Sequence, residues 1–292
     1  MKDVVAINGK VFAPQDAMVS VFDRGFLYGD SVYEVARSYH HIFFALEDHI
    51  ERLFRSAKRI GLEIGLTPAD LIKEIYKVYE QSGLEDAYMR IVVSRGEGPI
   101  NLDPTNFTHP NIVIIIKALE PAQVSLYSTG MKVVTSTFLR NAKEALDPNI
   151  KSGNYLNNIL ALGEAKKKKA DDALLVNREG FVTEGTTWNI FMVKNGAVIG
   201  SPDSADILHG ITRKFIRIIA QELNLNYREE FFTVEDLQNS DEVFATGTIK
   251  EVMAISFVDE VVVGLGKPGA VTLKLTEAYK NHVKSYCERT YV

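Results

Sequence analysis

"DPNIKSGNYLNN" (147–158) holds one lysine, Lys151, among small, amide and apolar side chains. Runs such as "EAKKKKADD" (164–172) place other lysines in water, where a solvated ammonium needs no further explanation. An amine that acts as a nucleophile must be neutral part of the time, and partial burial away from other cations favours that. Lys151, beside Ile150, Ser152, Gly153 and Asn154, meets this demand; Lys166 to Lys169 do not.

The chain around it has 292 residues, 46% apolar and 24% charged. Domains run to about 100–200 residues, so this length allows one large or two medium domains with a real core. A net charge of -5 argues against general affinity for nucleic acid, which needs a basic surface. The single cysteine, Cys287, excludes a disulfide framework and a cysteine-based zinc site, and it fits a reducing compartment. The histidines show no metal-ligand spacing. "MKDVVAINGK" is too polar for a signal peptide. The run "NIVIIIKAL" (111–119) falls far short of the roughly 20 residues a membrane span needs. The expected location is cytoplasmic.

The first 119 residues read as strands, helices, then strands. Asn8-Gly9 sits between two apolar runs, a hairpin signal, and "SVYEVARSYHHIFFAL" gives two more strands around His40-His41. "LEDHIERLFRSAKRIGL" spaces Ile50, Leu53, Phe54, Ala57 and Ile60 for a helix stopped at Gly61. "TPADLIKEIYKVYEQSG" is a second helix with Pro68 in its first turn. "AYMRIVVSRG" and "PNIVIIIKAL" follow as strands. Periodicity fades over "EPAQVSLYSTG" (120–130), the expected linker. Residues 131–292 alternate strands ("MKVVTSTFL", "DALLVN", "FVTEG", "WNIFMVKNGAVIGS", "EVFATGT") with helices ("NYLNNILALGEAKKKK", "GITRKFIRIIAQELN", "TLKLTEAYKNHVKSY"). Neither half shows a repeat. The pattern predicts an α+β chain of two domains, 1–119 and 131–292, rather than one doubly wound sheet.

"VVVGLGKPG" (261–269) has the GxGxxG spacing of a dinucleotide-binding turn. That fold needs a second strand with an acidic residue about 20 positions on, and only one helix-like segment remains. A glycine-rich turn between strand and helix is the better reading. Three other stretches bear on Lys151. Glu184 in "TEGTTWNIF" (183–191) lies at a strand end beside Gly185; alone it reads as a surface carboxylate. "LHGITRKFIRIIAQEL" (208–223) starts a helix after Gly210, so the N–H groups of Ile211 and Thr212 point out of its N-terminus, as a phosphate site or a simple cap. "FATGTIKEV" (244–252) brings a strand into a Gly-Thr turn whose amides and hydroxyl suit the same anion.

One chemical demand requires all of these together. Pyridoxal 5′-phosphate takes a lysine for its aldehyde, donors for its phosphate and an acid for its ring nitrogen. The sequence also resembles the class IV, fold type IV, aminotransferases, the family of branched-chain and D-amino-acid aminotransferases. The resemblance is carried in order by "DRGFLYGDSVYEV" (23–35), "HIERLFRSA" (49–57), "IKSGNYLNN" (150–158), "EGTTWNIF" (184–191), "GITR" (210–213), "DEVFATGTIKEV" (241–252) and "GKPGAVT" (266–272). It implies a small N-terminal α/β domain, a larger C-terminal pseudo-barrel domain, a cofactor held by both, and a homodimer. Lys151 would carry the cofactor. Arg52, Ile211, Thr212 and Thr248 would bind its phosphate, Glu184 its ring nitrogen and Tyr155 its ring hydroxyl, with Leu208 on the ring face. Arg52 on its own reads as a solvated helix residue.

The resemblance further implies ping-pong transamination between a small amino donor and a 2-oxo acid. Tyr33, Arg37 and Arg90 match positions lining the substrate pocket of branched-chain enzymes, and "SRGEGPINLDP" (94–104) sits on that side of the family. Val35 stands where those enzymes usually carry glycine and D-amino-acid enzymes carry valine. The Arg-x-His pair of typical D-amino-acid enzymes is missing from "GPINLD". Trp188 occupies a position where glutamate is common, as an aromatic does in (R)-amine transaminases. Thr248 and Ile249 would give amides to the α-carboxylate. Lys250 is either a cation near that carboxylate or an exposed strand-end lysine. The expected reaction joins an aliphatic amino acid to 2-oxoglutarate. The alternatives are a D-amino-acid or (R)-amine transaminase, an aminodeoxychorismate lyase on the same residues, and a protein that only binds the vitamer.

Overall fold

The computed structural model describes residues 2–107, 109–120 and 124–290. Its chain packs as two compact units. One comprises Met1–Glu120, Ile150–Asn154 and Tyr286–Val292, the other Pro121–Asn149 and Tyr155–Ser285.

The first unit is an antiparallel sheet backed by two helices. Its strands are β1 (Val4–Ile7), β2 (Lys10–Phe12), β3 (Ser31–Tyr39), β4 (Ile42–Phe43), β5 (Ala87–Ser94) and β6 (Asn111–Ala118), in the order β2-β1-β6-β5-β3-β4. The expected Asn8-Gly9 hairpin is present, with both residues left-handed (φ 50° and 78°), as a two-residue turn of this type requires. His40 and His41 make the β3–β4 turn at φ 47° and 70°. The two helical patterns become α2 (Leu46–Arg59) and α3 (Pro68–Glu80); a short α1 (Arg24–Tyr28), capped by Asp23, precedes β3. Side chains alternate across a strand, so Val32 and Ala36 of β3 and Met89, Ile91 and Val93 of β5 bury one face against Ile50, Leu53, Leu71 and Ile75. The opposite face carries Tyr33, Val35 and Arg37 beside Val92, Arg90 and Tyr88, their register partners.

The segment 150–154 belongs to this unit because β3 hydrogen-bonds it like an extra strand. Tyr33 N donates to Lys151 O (2.9 Å), Gly153 N donates to Ser31 O (2.8 Å), and Val32 bridges Ser152. Near the chain's end, Tyr286 Oη donates to Glu47 (2.8 Å) and its ring meets Phe44 edge-on.

The described residues of the second unit form nine strands: β7 (Met131–Thr135), β8 (Asp172–Val176), β9 (Val182–Gly185), β10 (Asn189–Lys194), β11 (Ala197–Gly200), β12 (Tyr227–Glu229), β13 (Glu242–Gly247), β14 (Glu251–Val258) and β15 (Val261–Val262). The run β10-β13-β14-β7-β8-β9 closes on itself, because β9 pairs with β8 on one side and, at Glu184 and Asn189, with β10 on the other. This closed six-strand ring is the pseudo-barrel, and closure removes its unpaired edges. Met131, Val133, Leu174, Ile190, Met192, Ala245, Met253 and Ile255 form its core. Around the ring lie α4 (Val124–Thr129), α5 (Lys143–Leu146), α6 (Leu156–Lys167), α7 (Ile211–Glu222), α8 (Val234–Gln238) and α9 (Ala270–Thr290).

Of the linker stretch 120–130, residues 121–123 lie outside the described residues and Val124–Thr129 is helical. The glycine-rich 261–269 is a turn from β15 into α9, as expected, and Gly264 is needed there. It is left-handed (φ 53°), and a β-carbon would come within 2.1 Å of Asp241 O. β14 and α8 escaped the sequence reading. α8 has a full capping box, Thr233 with Asp236, that could have revealed it.

Candidate active site

In the first unit the site is built on β3, β5, α2 and the 150–154 segment. Lys151 N donates to Ser56 Oγ (3.2 Å), and Asn154 Nδ2 donates to Gly29 O (3.0 Å), so both ends of the segment are pinned. Lys151 Nζ lies 4.6 Å from the centroid of the Tyr33 ring. The Arg90 guanidinium stacks on the same ring at 4.0 Å, and Arg37 lies over Tyr39 at 4.4 Å. Three of the residues expected to meet substrate, Tyr33, Arg37 and Arg90, thus share one sheet face with Lys151.

Arg52 is not the solvated helix residue that its own sequence context suggests. It is buried, and its fork grips Glu34 on the inner face of β3, Nε to Oε1 at 2.6 Å and Nη2 to Oε2 at 2.9 Å. His49 Nδ1 lies 2.8 Å from the same carboxylate. Burial pushes the Glu34 carboxyl up, but the Arg52 guanidinium and the His49 bond outweigh it and hold the group far below the ordinary value of 4.5. Burial pushes His49 down, so a neutral imidazole donates from Nδ1. Glu34→Gln would leave a buried guanidinium without its counter-charge, and urea denaturation at pH 7 should show a loss of about 3 kcal/mol. Because the folded carboxyl lies below its unfolded value, the difference from wild type is full above pH 4.5 and shrinks as the pH falls below it. A gap that did not narrow in acid would rule this out.

In the second unit the site forms where the barrel closes. Glu184 sits at that seam, buried among hydrogen-bond donors. Arg140 donates to Oε1 from Nε (3.0 Å), with Nη2 2.8 Å from the same oxygen in an ion pair; Asn189 Nδ2 (3.1 Å) and Leu208 N (3.0 Å) donate to Oε2. Donors on both oxygens, with a guanidinium among them, suit an ionised carboxylate. Arg140 and Asn189 were missed in the sequence. The signal for Asn189 was its place opposite Glu184 in a short β-turn-β unit; Arg140 had none, since its ion pair joins residues 44 apart.

The cross-strand row through the seam runs Glu184, Asn189, Thr246, Val252, all on one face. Beside it α7 begins at Gly210 with no side-chain cap, so its first N–H groups, at Ile211 and Thr212, keep the helix's positive end uncovered by a cap residue. Gly210 is required for this approach, because a β-carbon would meet Asn189 Oδ1 at 2.1 Å. Thr248, Ile249 and Lys250 form the loop between β13 and β14. Trp188 is buried in the barrel core, its indole lying across Gly185, where a β-carbon would fall 1.9 Å from the ring. Tyr155 caps α6, and Leu208 is half-buried beside Glu184.

Within the second unit, these residues suit a group with an anionic end and a protonated aromatic nitrogen. Thr246 Oγ1 supports the fit. It is buried on the Glu184 row without a hydrogen-bond partner among the described residues, a cost of about 1–3 kcal/mol that a ligand acceptor would remove.

Comparison with known proteins agrees. The family model "Amino-transferase class IV" matches residues 31–258. The chain is 39% identical over 277 residues to a protein of Methanocaldococcus jannaschii provisionally named a branched-chain-amino-acid aminotransferase, covering 95% of each. It is 33% identical to the D-alanine aminotransferase of Bacillus licheniformis, covering 98% of this chain and 99% of that one. The branched-chain aminotransferase of Thermoproteus uzoniensis, solved with norvaline, superposes with a TM-score of 0.90 at 32% identity, covering 98% of this chain and 96% of that one. Another solved branched-chain amino acid aminotransferase, with pyridoxamine 5′-phosphate, superposes with a TM-score of 0.93 at 30% identity, covering 98% and 95%. The chain belongs to the class IV aminotransferase family. It is a pyridoxal-phosphate-dependent aminotransferase of fold type IV.

Proposed function

We propose that this enzyme moves the amino group of an aliphatic, branched-chain amino acid to 2-oxoglutarate in two half-reactions on one site. The observation that carries this reading is the cation pair beside the reactive lysine. The Tyr33 ring that faces Lys151 Nζ also carries Arg90, and Arg37 shares its face with Val35 and Val92. A transaminase with two substrates must accept an apolar side chain in one half-reaction and a distal carboxylate in the other. Valines interleaved with guanidiniums supply both.

Lys151 would bind the cofactor's aldehyde. Arg52, the N–H groups of Ile211 and Thr212 and the Thr248 hydroxyl would hold its phosphate, Tyr155 its ring hydroxyl and Leu208 its ring face. When bound, pyridoxal phosphate supplies an electron sink for the charge left at the substrate's Cα. Glu184 takes the ring nitrogen. Arg140, Asn189 and the Leu208 amide already donate to its oxygens, and Asn189 is the donor with a second acceptor, the Leu208 carbonyl at 2.8 Å, should one have to make room. The amine of Lys151 accepts the Cα proton and holds it for return. The amides of Thr248 and Ile249 receive the α-carboxylate. Trp188 shapes the floor indirectly, through Gly185 and Gly247, against which it packs.

A D-amino-acid or (R)-amine donor is the second reading, favoured by Val35 and by the likeness to D-alanine aminotransferases. The visible absorbance of the cofactor-loaded enzyme, followed on separate addition of L-leucine, D-alanine and (R)-1-phenylethylamine, separates the two. Fastest bleaching by L-leucine supports the first; faster bleaching by either other donor replaces it.

We also propose a homodimer. Each unit leaves large apolar side chains in water, among them Phe26, Ile100 and Leu102 in the first and Leu156 and Ile159 in the second. Sedimentation equilibrium at the 32.6 kDa mass of one chain would refute it. No helix among the described residues is long and apolar enough to cross a membrane.

A further inference from the structure

The loop Thr248–Lys250 joins β13 to β14 between the paired residues Gly247 and Glu251. Glu251 closes it at φ 54°, a left-handed conformation that three-residue hairpins usually give to glycine. A buried residue with a long side chain persists there only when its surroundings hold the loop. Lys250 makes two contacts outside the hairpin. Its ammonium lies 3.3 Å from Asp172 Oδ2, and its carbonyl accepts from Tyr127 Oη at 3.4 Å. Asp172 is buried at the head of β8, where Oδ1 accepts from Thr186 Oγ1 (2.6 Å) and Ala173 N (2.9 Å). Thr186 follows Glu184 by two residues, and its carbonyl accepts from Asn158 Nδ2 at 2.6 Å. The chain Lys250–Asp172–Thr186 therefore ties the loop to the strand end that carries Glu184.

We propose that Lys250 is a positioning residue: through Asp172 it sets the Thr248 and Ile249 amides for the substrate's α-carboxylate, without touching that carboxylate itself. The inference rests on those amides being the carboxylate's donors. An ammonium paired with a buried carboxylate has little charge left for a third group. Two backbone N–H groups bind an anion only if both point at it, and displacement of about 1 Å is enough to lose most of the benefit.

The test uses the cofactor-loaded enzyme titrated with 4-methylpentanoate, an unreactive carboxylic acid, together with KM and kcat for L-leucine. Lys250→Met and Asp172→Asn should each raise the dissociation constant and KM about tenfold, with kcat and melting temperature near wild type. The double variant should be no worse than either single one, and Lys250→Arg should restore binding. Unchanged or tighter binding in Asp172→Asn beside weaker binding in Lys250→Met would mean that the ammonium meets the carboxylate directly, overturning the proposal. Equal losses of kcat and melting temperature in every variant would also overturn it, as a general structural role. Should Asp172→Asn not fold, hydrogen exchange of the unliganded protein decides. Faster exchange at Thr248 and Ile249 in Lys250→Met supports the tether, and unchanged exchange refutes it. If 4-methylpentanoate does not bind the wild-type enzyme, the carboxylate reading itself falls, whatever the exchange shows.

Discussion

Lys151→Ala should lower transamination by at least about 10⁴-fold and remove the visible band of the bound cofactor, because the proposed mechanism gives one amine two tasks. It would hold the aldehyde between turnovers and accept the Cα proton during them. Loss of the first task is spectroscopic and loss of the second is kinetic, so the two can be read apart. Added ethylamine should return part of the rate, since a free amine can carry the proton but is not held in place. The fold should persist. Tyr33 and Ser56 bond the backbone of Lys151, not its side chain, so melting should stay close to wild type. Turnover near the wild-type rate without added amine would end the assignment of Lys151.

The second large effect is expected at the barrel seam. Glu184→Gln should cost about 10³-fold in kcat, on the order of 4 kcal/mol, the size found when a group facing the charge that develops in a transition state is lost. An amide keeps the shape but cannot hold a ring nitrogen protonated. It also fails the local bonding. Arg140, Asn189 and Leu208 all donate to Glu184, and the NH₂ of glutamine has nothing to accept with. One oxygen can still face Arg140, but Asn189 and the Leu208 amide would then meet a donor. Stability should therefore fall as well, by about 1–3 kcal/mol for the unsatisfied groups. The two effects separate on the cofactor's absorbance: a misprotonated ring shifts the band, whereas simple loosening of the fold lowers only its amount. An unshifted band with a normal rate would show that Glu184 serves the barrel and not the cofactor.

Much of this was legible in one dimension. Local signals set the elements: the Asn8-Gly9 turn, the apolar spacing of α2, Pro68 at the start of α3 and Gly210 before α7 each act within a few residues. They failed where the signal was weak or long-range. β14 is a nearly unbroken apolar run, because it is buried between β13 and β7 and shows no alternation. α4 occupies a stretch whose periodicity fades.

The site divides along the same line. Lys151 stood out by its immediate neighbours, whereas Glu184 and the α7 N-terminus read locally as a surface carboxylate and a helix cap, and gained a role only from the combination of stretches and the family resemblance. Arg52 looked solvated, since its partner Glu34 lies 18 residues away on another element and nothing local announces a buried ion pair. Lys250 could not be settled between ligand and bystander, because Asp172 is brought to it only by the pairing of β14 with β7 and β7 with β8. The sequence by itself determined which chemistry the chain can perform. The tertiary structure decided which charges are balanced and by whom, because a Coulomb interaction depends on distance and burial, and neither is written in the order of residues.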